Sequence, residues 1–155
     1  MNPAPTYYLT TPIYYVNDVP HIGHMYTTLA CDVLARFKRL DGFQVKFLTG
    51  TDEHGQKVQK AALAAGLAPH EFTDRVSANF RGLTQAMGFS NDDFIRTTEA
   101  RHIRSCRALW QRLVERNEIY LGTYAGWYAV RDEAFYAESE LVKAADGSRL
   151  APTGA

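Results

Sequence analysis

Two short stretches hold the residues best suited to chemistry. The first is His21-Ile22-Gly23-His24. Its two histidines are three positions apart, so in a helix both imidazoles project from one face of the first turn. A helix start also carries backbone N–H groups without intrahelical partners and the positive end of the dipole, which together attract phosphate. Gly23 lacks a β-carbon, so a flat ligand such as adenine can approach the backbone there. Imidazoles that donate hydrogen bonds to charge building on a phosphate act as transition-state stabilisers. The plainer alternatives are a metal half-site or a pair of polar caps, because a four-residue pattern alone is weak. The second stretch is Thr49-Gly50-Thr51-Asp52-Glu53-His54-Gly55. A carboxylate in a crevice is costly unless it meets a cation, which suits Asp52 to an ammonium group. The alternative is an Asp52 N-cap for a helix beginning near Gly55, with Glu53 favouring the dipole.

The surrounding elements must bring these stretches together. Thr6 to Thr11, rich in aromatic and β-branched residues, predicts a strand, and Pro12 to Pro20 a loop. Ile22, Met25, Leu29, Val33, Phe37 and Leu40 recur at steps of three and four and predict one helix, ended at Asp41-Gly42. Gln44 to Thr49 predicts a second strand. Strand, helix and strand make a right-handed parallel βαβ unit, which sets the loops after both strands at one sheet edge, where open α/β sheets bind ligands. Further helices are expected over Gln56 to Ala65, Pro69 to Gly88, and from Thr98 as N-cap with Ile103, Cys106, Trp110 and Leu113 on one face. From Ile119 the chain turns aromatic and turn-rich, which suggests short antiparallel strands and a subdomain boundary near 118.

Composition narrows the possibilities. The chain has 155 residues, enough for one core, and its 17 Lys and Arg balance its 17 Asp and Glu, so no global positive field announces a nucleic-acid partner. The first twelve residues hold no basic group and no long apolar run, and no stretch of ~18 apolar residues occurs, so a cytoplasmic protein without membrane or DNA contact is expected. Cys31 and Cys106 are isolated and read as two reduced core thiols.

Residues 12 to 24, Pro-Ile-Tyr-Tyr-Val-Asn-Asp-Val-Pro-His-Ile-Gly-His, and residues 49 to 55 resemble the two N-terminal blocks of methionyl-tRNA synthetases, class I enzymes. The likeness runs from about Tyr7 to about Val142. It implies a Rossmann-like nucleotide-binding half-domain over residues 1–118 and the beginning of a connective insertion over 119–155. Carried over by position, it implies ATP contacts by Pro12, His21, Gly23 and His24, with His21 and His24 catalytic. Methionine would be bound by Ile13, Tyr15 and Asp52, the last on the α-amino group. The implied reaction joins methionine to ATP with Mg2+ and passes the product to tRNA(Met). The nucleophilic carboxylate is ionised at neutral pH, since such groups titrate near ~3.5, so no general base is needed and catalysis reduces to positioning and charge stabilisation.

Two departures from the family pattern matter. The stretch matching its zinc knuckle is Tyr128-Ala129-Val130-Arg131-Asp132-Glu133, and no cysteine follows Cys106, so no metal site and no zinc are expected, and Trp127, Tyr128, Phe135 and Tyr136 read as replacement hydrophobic packing. The family's second signature, Lys-Met-Ser-Lys-Ser, does not occur. The 155 residues alone are therefore expected to show little or no pyrophosphate exchange and to contact tRNA mainly through other regions. Two rival readings remain at this point: a small nucleotidyltransferase using the same His-x-Gly-His turn, and a non-catalytic binding module derived from a synthetase.

Overall fold

The computed structural model describes residues 3–155. The chain divides into two compact units, Met1–Ala108 and Leu109–Ala155.

The first unit is built on a parallel sheet. Strand β1 (Thr6–Thr10) pairs with β3 (Gln44–Asp52) in the register Thr6 to Gln44. A two-residue strand β2 (Tyr14–Tyr15) pairs further along β3, at Thr51 and Asp52. Strand β4 (Asp93–Arg96) runs along β3 from Leu48 to Thr51. Leu48 is matched with both Thr10 and Asp93, and Thr51 with both Tyr14 and Arg96, so β1 and β2 share one side of β3 and β4 takes the other. Three differences from the sequence reading follow. The expected 12–20 loop contains β2; β3 runs on through the Thr49–Asp52 signature; and β4 was not foreseen. Four residues with one apolar pair between charged groups give too little alternation to signal a strand.

Helix α1 spans Ile22–Leu40 and is followed by Gly42 at a φ of 84°, the left-handed cap expected there. Helices α2 (Gln56–Ala64) and α3 (Pro69–Ala86) return the chain from β3 to β4. The core gathers Tyr14, Val16, Val58, Val76, Phe80 and Phe94, with Phe72 against them, so α2 and α3 pack their apolar faces on the strands. Helix α1 does not. Its buried residues are Thr28, Asp32 and Ala35, while Ile22 is 77% exposed, Phe37 57% and Leu40 90%. The apolar stripe that marks α1 as a helix thus faces outward. What fastens α1 is polar: the nearly buried Asp32 accepts from Ser90 N and Oγ, both at 2.6 Å, and from Arg36 Nε at 2.6 Å, while Arg39 donates to Asp92 at 2.9 Å.

Helix α4 covers Ala100–Glu115 and holds no buried residue. It starts after Thr98, whose hydroxyl is engaged elsewhere and does not cap it. Cys106 is exposed and Cys31 half-buried, so neither is the core thiol expected. The second unit contains two antiparallel hairpins, β5 (Trp127–Ala129) with β6 (Ala134–Tyr136) and β7 (Val142–Lys143) with β8 (Arg149–Leu150), joined through a 3-10 turn at Glu138–Glu140. Its aromatics form a half-exposed ring cluster in place of a buried core: Phe135 packs on Tyr124 and Tyr128 at 4.9 and 5.0 Å, and Arg149 lies 4.9 Å over Trp127.

Candidate active site

Strand β2, the loop after it and the first turn of α1 meet around one cavity of about 390 Å³, lined by Ile13, Tyr14, Tyr15, Asn17, Asp18, Val19, His21 and His24. Its position at the carboxyl ends of parallel strands is where such sheets bind ligands. Of the expected residues, Ile13, Tyr15, His21 and His24 line it, whereas Pro12, Gly23 and Asp52 do not. Asp52 lies directly beside it, since Tyr15 and Asp52 are register partners and partners in a parallel ladder project to the same face.

The histidine pair is built locally. The Gly23 N–H donates to His21 Nδ1 at 3.1 Å, and the His21 N–H donates to His24 Nδ1 at 3.1 Å, a reciprocal capping box made of imidazoles. An accepting Nδ1 carries no hydrogen, so in each neutral ring the proton sits on Nε2. The cap therefore fixes both tautomers and leaves two Nε2–H donors. It also spends the amides of His21 and Gly23, so these first-turn N–H groups do not await a phosphate as the sequence suggested; the imidazole donors take that part. The space over Gly23 is filled by the His21 ring itself, whose Cε1 would lie 2.9 Å from an added Cβ. The rings stack with centroids 3.8 Å apart. His24 rests on Tyr14 at 4.8 Å and Phe80 at 5.0 Å, and burial, helped by the neighbouring His21, lowers its pKa and keeps it neutral near pH 7. Tyr14 ties this turn to β2: its hydroxyl lies 3.0 Å from Thr28 Oγ1 and donates to the His24 carbonyl at 3.3 Å.

The acidic turn is built from afar. Gly50 allows β4 to come close, since a Cβ there would fall 2.0 Å from the Ile95 carbonyl oxygen. Just beyond, the Thr97 N–H donates to the Thr51 carbonyl at 3.2 Å. The side chain of Glu53 is fully buried and accepts from Arg96 Nε and Nη2 at 2.6 and 2.8 Å, from Thr98 Oγ1 at 2.5 Å and from Thr51 Oγ1 at 2.9 Å. Burial alone would push its pKa up, but the Arg96 guanidinium and the two hydroxyls outweigh it and hold the carboxyl below its usual value. Asp52 is no N-cap: the cap of α2 is Gly55, at a φ of 103° and without a side-chain bond. Glu53 serves Arg96, not the dipole. Sequence reading missed Arg96, Thr97 and Thr98 because β4, which carries them in, was itself unforeseen.

Among the described residues no group of three or more His, Cys, Asp or Glu is arranged to hold a metal ion. A larger cavity of about 440 Å³ lies at the start of β4, the opposite strand end, and shares no lining residue with the site; its Arg101 is engaged by Asp93 and Glu99.

The sequence profile of tRNA synthetases class I (M) matches residues 7–146. The chain belongs to that family. Its relatives include methionine–tRNA ligases of Rickettsia bellii, 63% identical, and Rickettsia conorii, 64% identical, each over 97% of this chain and 29% of their own length. Among solved structures, a Mycobacterium tuberculosis methionyl-tRNA synthetase in complex with methionyl-adenylate superposes with a TM-score of 0.88 at 50% identity, over 97% of this chain and 30% of that one. The chain thus spans under a third of the relatives it matches, and its α/β fold with a parallel sheet and short antiparallel strands is the fold of that part of the family.

Proposed function

We propose that this chain supplies the ATP and methionine crevice of a methionine–tRNA ligase. Residues 1–118 would be the first half of its catalytic domain and 119–155 the beginning of the connective insertion. The observation that carries this reading is the cavity at the strand ends, with the two histidines among its lining residues and a carboxylate beside it. High identity to methionine–tRNA ligases across nearly the whole chain supports the choice of amino acid, and the methionyl-adenylate bound by the Mycobacterium relative supports ATP as co-substrate. A small nucleotidyltransferase would leave the acidic turn unexplained.

Asp52 would hold the methionine ammonium, with Ile13 and Tyr15 against the amino acid. The methionine carboxylate oxygen attacks the α-phosphorus of ATP; the bond from that phosphorus to the β-phosphate oxygen breaks, and pyrophosphate leaves with the electron pair. His21 and His24 donate through Nε2–H to phosphate oxygens on which charge builds, while Pro12 and Gly23 act from just outside the lining, next in sequence to Ile13 and His24. Mg2+ enters with the ATP phosphates as part of the substrate, and no step is assigned to it. A tRNA(Met) hydroxyl then takes the methionyl group and AMP leaves, with the tRNA held mainly outside these residues. Among the described residues no helix is long and apolar enough to cross a membrane.

The deciding experiment measures methionine-dependent pyrophosphate exchange by the protein expressed from its complete open reading frame. Asp52→Ala is expected to raise the KM for methionine on the order of a hundredfold while leaving that for ATP within about threefold, the pattern of a lost amine contact. An unchanged methionine KM would sink the assignment.

A further inference from the structure

We propose that Arg96 is a positioning residue for methionine: through Glu53 it fixes the turn that presents Asp52 to the amine. This rests on the reading of Asp52 given above and extends it to residues that never touch substrate. The geometry runs in three links. First, β2 pairs with Asp52 on one side, but regular β3–β4 pairing ends at Thr51 and Arg96, one residue earlier, so on the β4 side the backbone ladder does not reach the carboxylate. Second, side chains continue the clamp. Arg96 grips both oxygens of Glu53, and Asp74 grips Arg96 from α3 at 2.6 Å. Third, Thr97 joins the clamp to Asp52. Its hydroxyl accepts from the Glu53 N–H at 2.8 Å and reaches Asp52 Oδ1 at 3.5 Å.

Charge points the same way. Glu53 and Asp52 are consecutive acids, and a buried unpaired Glu53 would itself compete for a cation brought to the turn. The bidentate pair with Arg96 cancels Glu53 and leaves the charge of Asp52 to act on a cation. A fork of two parallel N–H groups also sets the orientation of the carboxylate plane, which a lysine point charge cannot do. The clamp is thus a device for aiming, not only for holding the strands together.

The test uses pyrophosphate exchange by the protein from its complete open reading frame, with Asp52→Ala as reference. Glu53→Gln and Arg96→Met are expected to raise the methionine KM on the order of tenfold, with the ATP KM within about twofold, because a small misplacement of a binding group is enough for such a loss. Arg96→Lys, which keeps the charge without the fork, should fall between those variants and wild type. If the two stronger variants do not fold, Asp74→Asn and Thr98→Val, each removing one outer contact of the clamp, should still raise the methionine KM about threefold. A methionine KM at the wild-type value in folded variants, or an equal rise in both KM values, overturns the proposal. With Asp52→Ala severe, that outcome removes only the positioning role of Arg96. A silent Asp52→Ala removes the amine reading and this proposal with it.

Discussion

The histidine turn that lines the cavity and the acidic turn beside it are made in opposite ways. The histidine side is closed by bonds spanning two or three residues, His21 to Gly23 and His21 to His24. The acidic side is closed by bonds spanning more than forty residues, between Glu53 and Arg96 to Thr98. A local device forms wherever its helix forms and fails alone; a device assembled from distant strands is rigid only while the sheet is intact, and its failure spreads.

That contrast can be broken at either end. Arg96→Met leaves Glu53 buried without its counter-ion and is expected to cost about 3–5 kcal/mol, read as a lower urea midpoint. His21→Ala removes one imidazole acceptor at the start of α1 and should cost about 1 kcal/mol, with unfolding otherwise unchanged. If the histidine change proves the more damaging, the contrast is wrong. Acid sharpens it with the smallest effect. The folded pKa of His24 is depressed, so its neutral ring contributes stability above about 6.5 that is lost as pH falls from there through the folded value. That of Glu53 is depressed as well, so its contribution persists to lower pH, being lost only as pH falls below the ordinary glutamate value near 4.3 through the folded one. Acidification should therefore perturb the ring resonances of His24 before the amide of Glu53, followed residue by residue in NMR spectra.

The same contrast decides what could be read from the chain of letters. Helix α1, its Gly42 cap and the meeting of the His21 and His24 rings on one face of its first turn were legible because their causes lie within a few residues. Strand β4 was not, and with it went Arg96, Thr97 and Thr98. Nothing in Asp93-Phe94-Ile95-Arg96 distinguishes a strand until β3 offers it a partner, and nothing near Glu53 reveals a guanidinium that arrives from residue 96. Periodicity likewise gave the helix and not its environment. The periodicity of α1 correctly announced a helix, yet Asp32 and Thr28 turn inward, where Ser90 and Tyr14 bond them, with Ala35 buried beside them on the same face.

The outward stripe of α1 has a consequence for handling the molecule. Ile22, Tyr26, Leu29, Val33, Phe37 and Leu40 all meet water on one long helix. Because such surface is cohesive toward its own kind, light scattering from the chain should report net attraction between molecules even at zero net charge, growing in sulfate and shrinking in dilute urea.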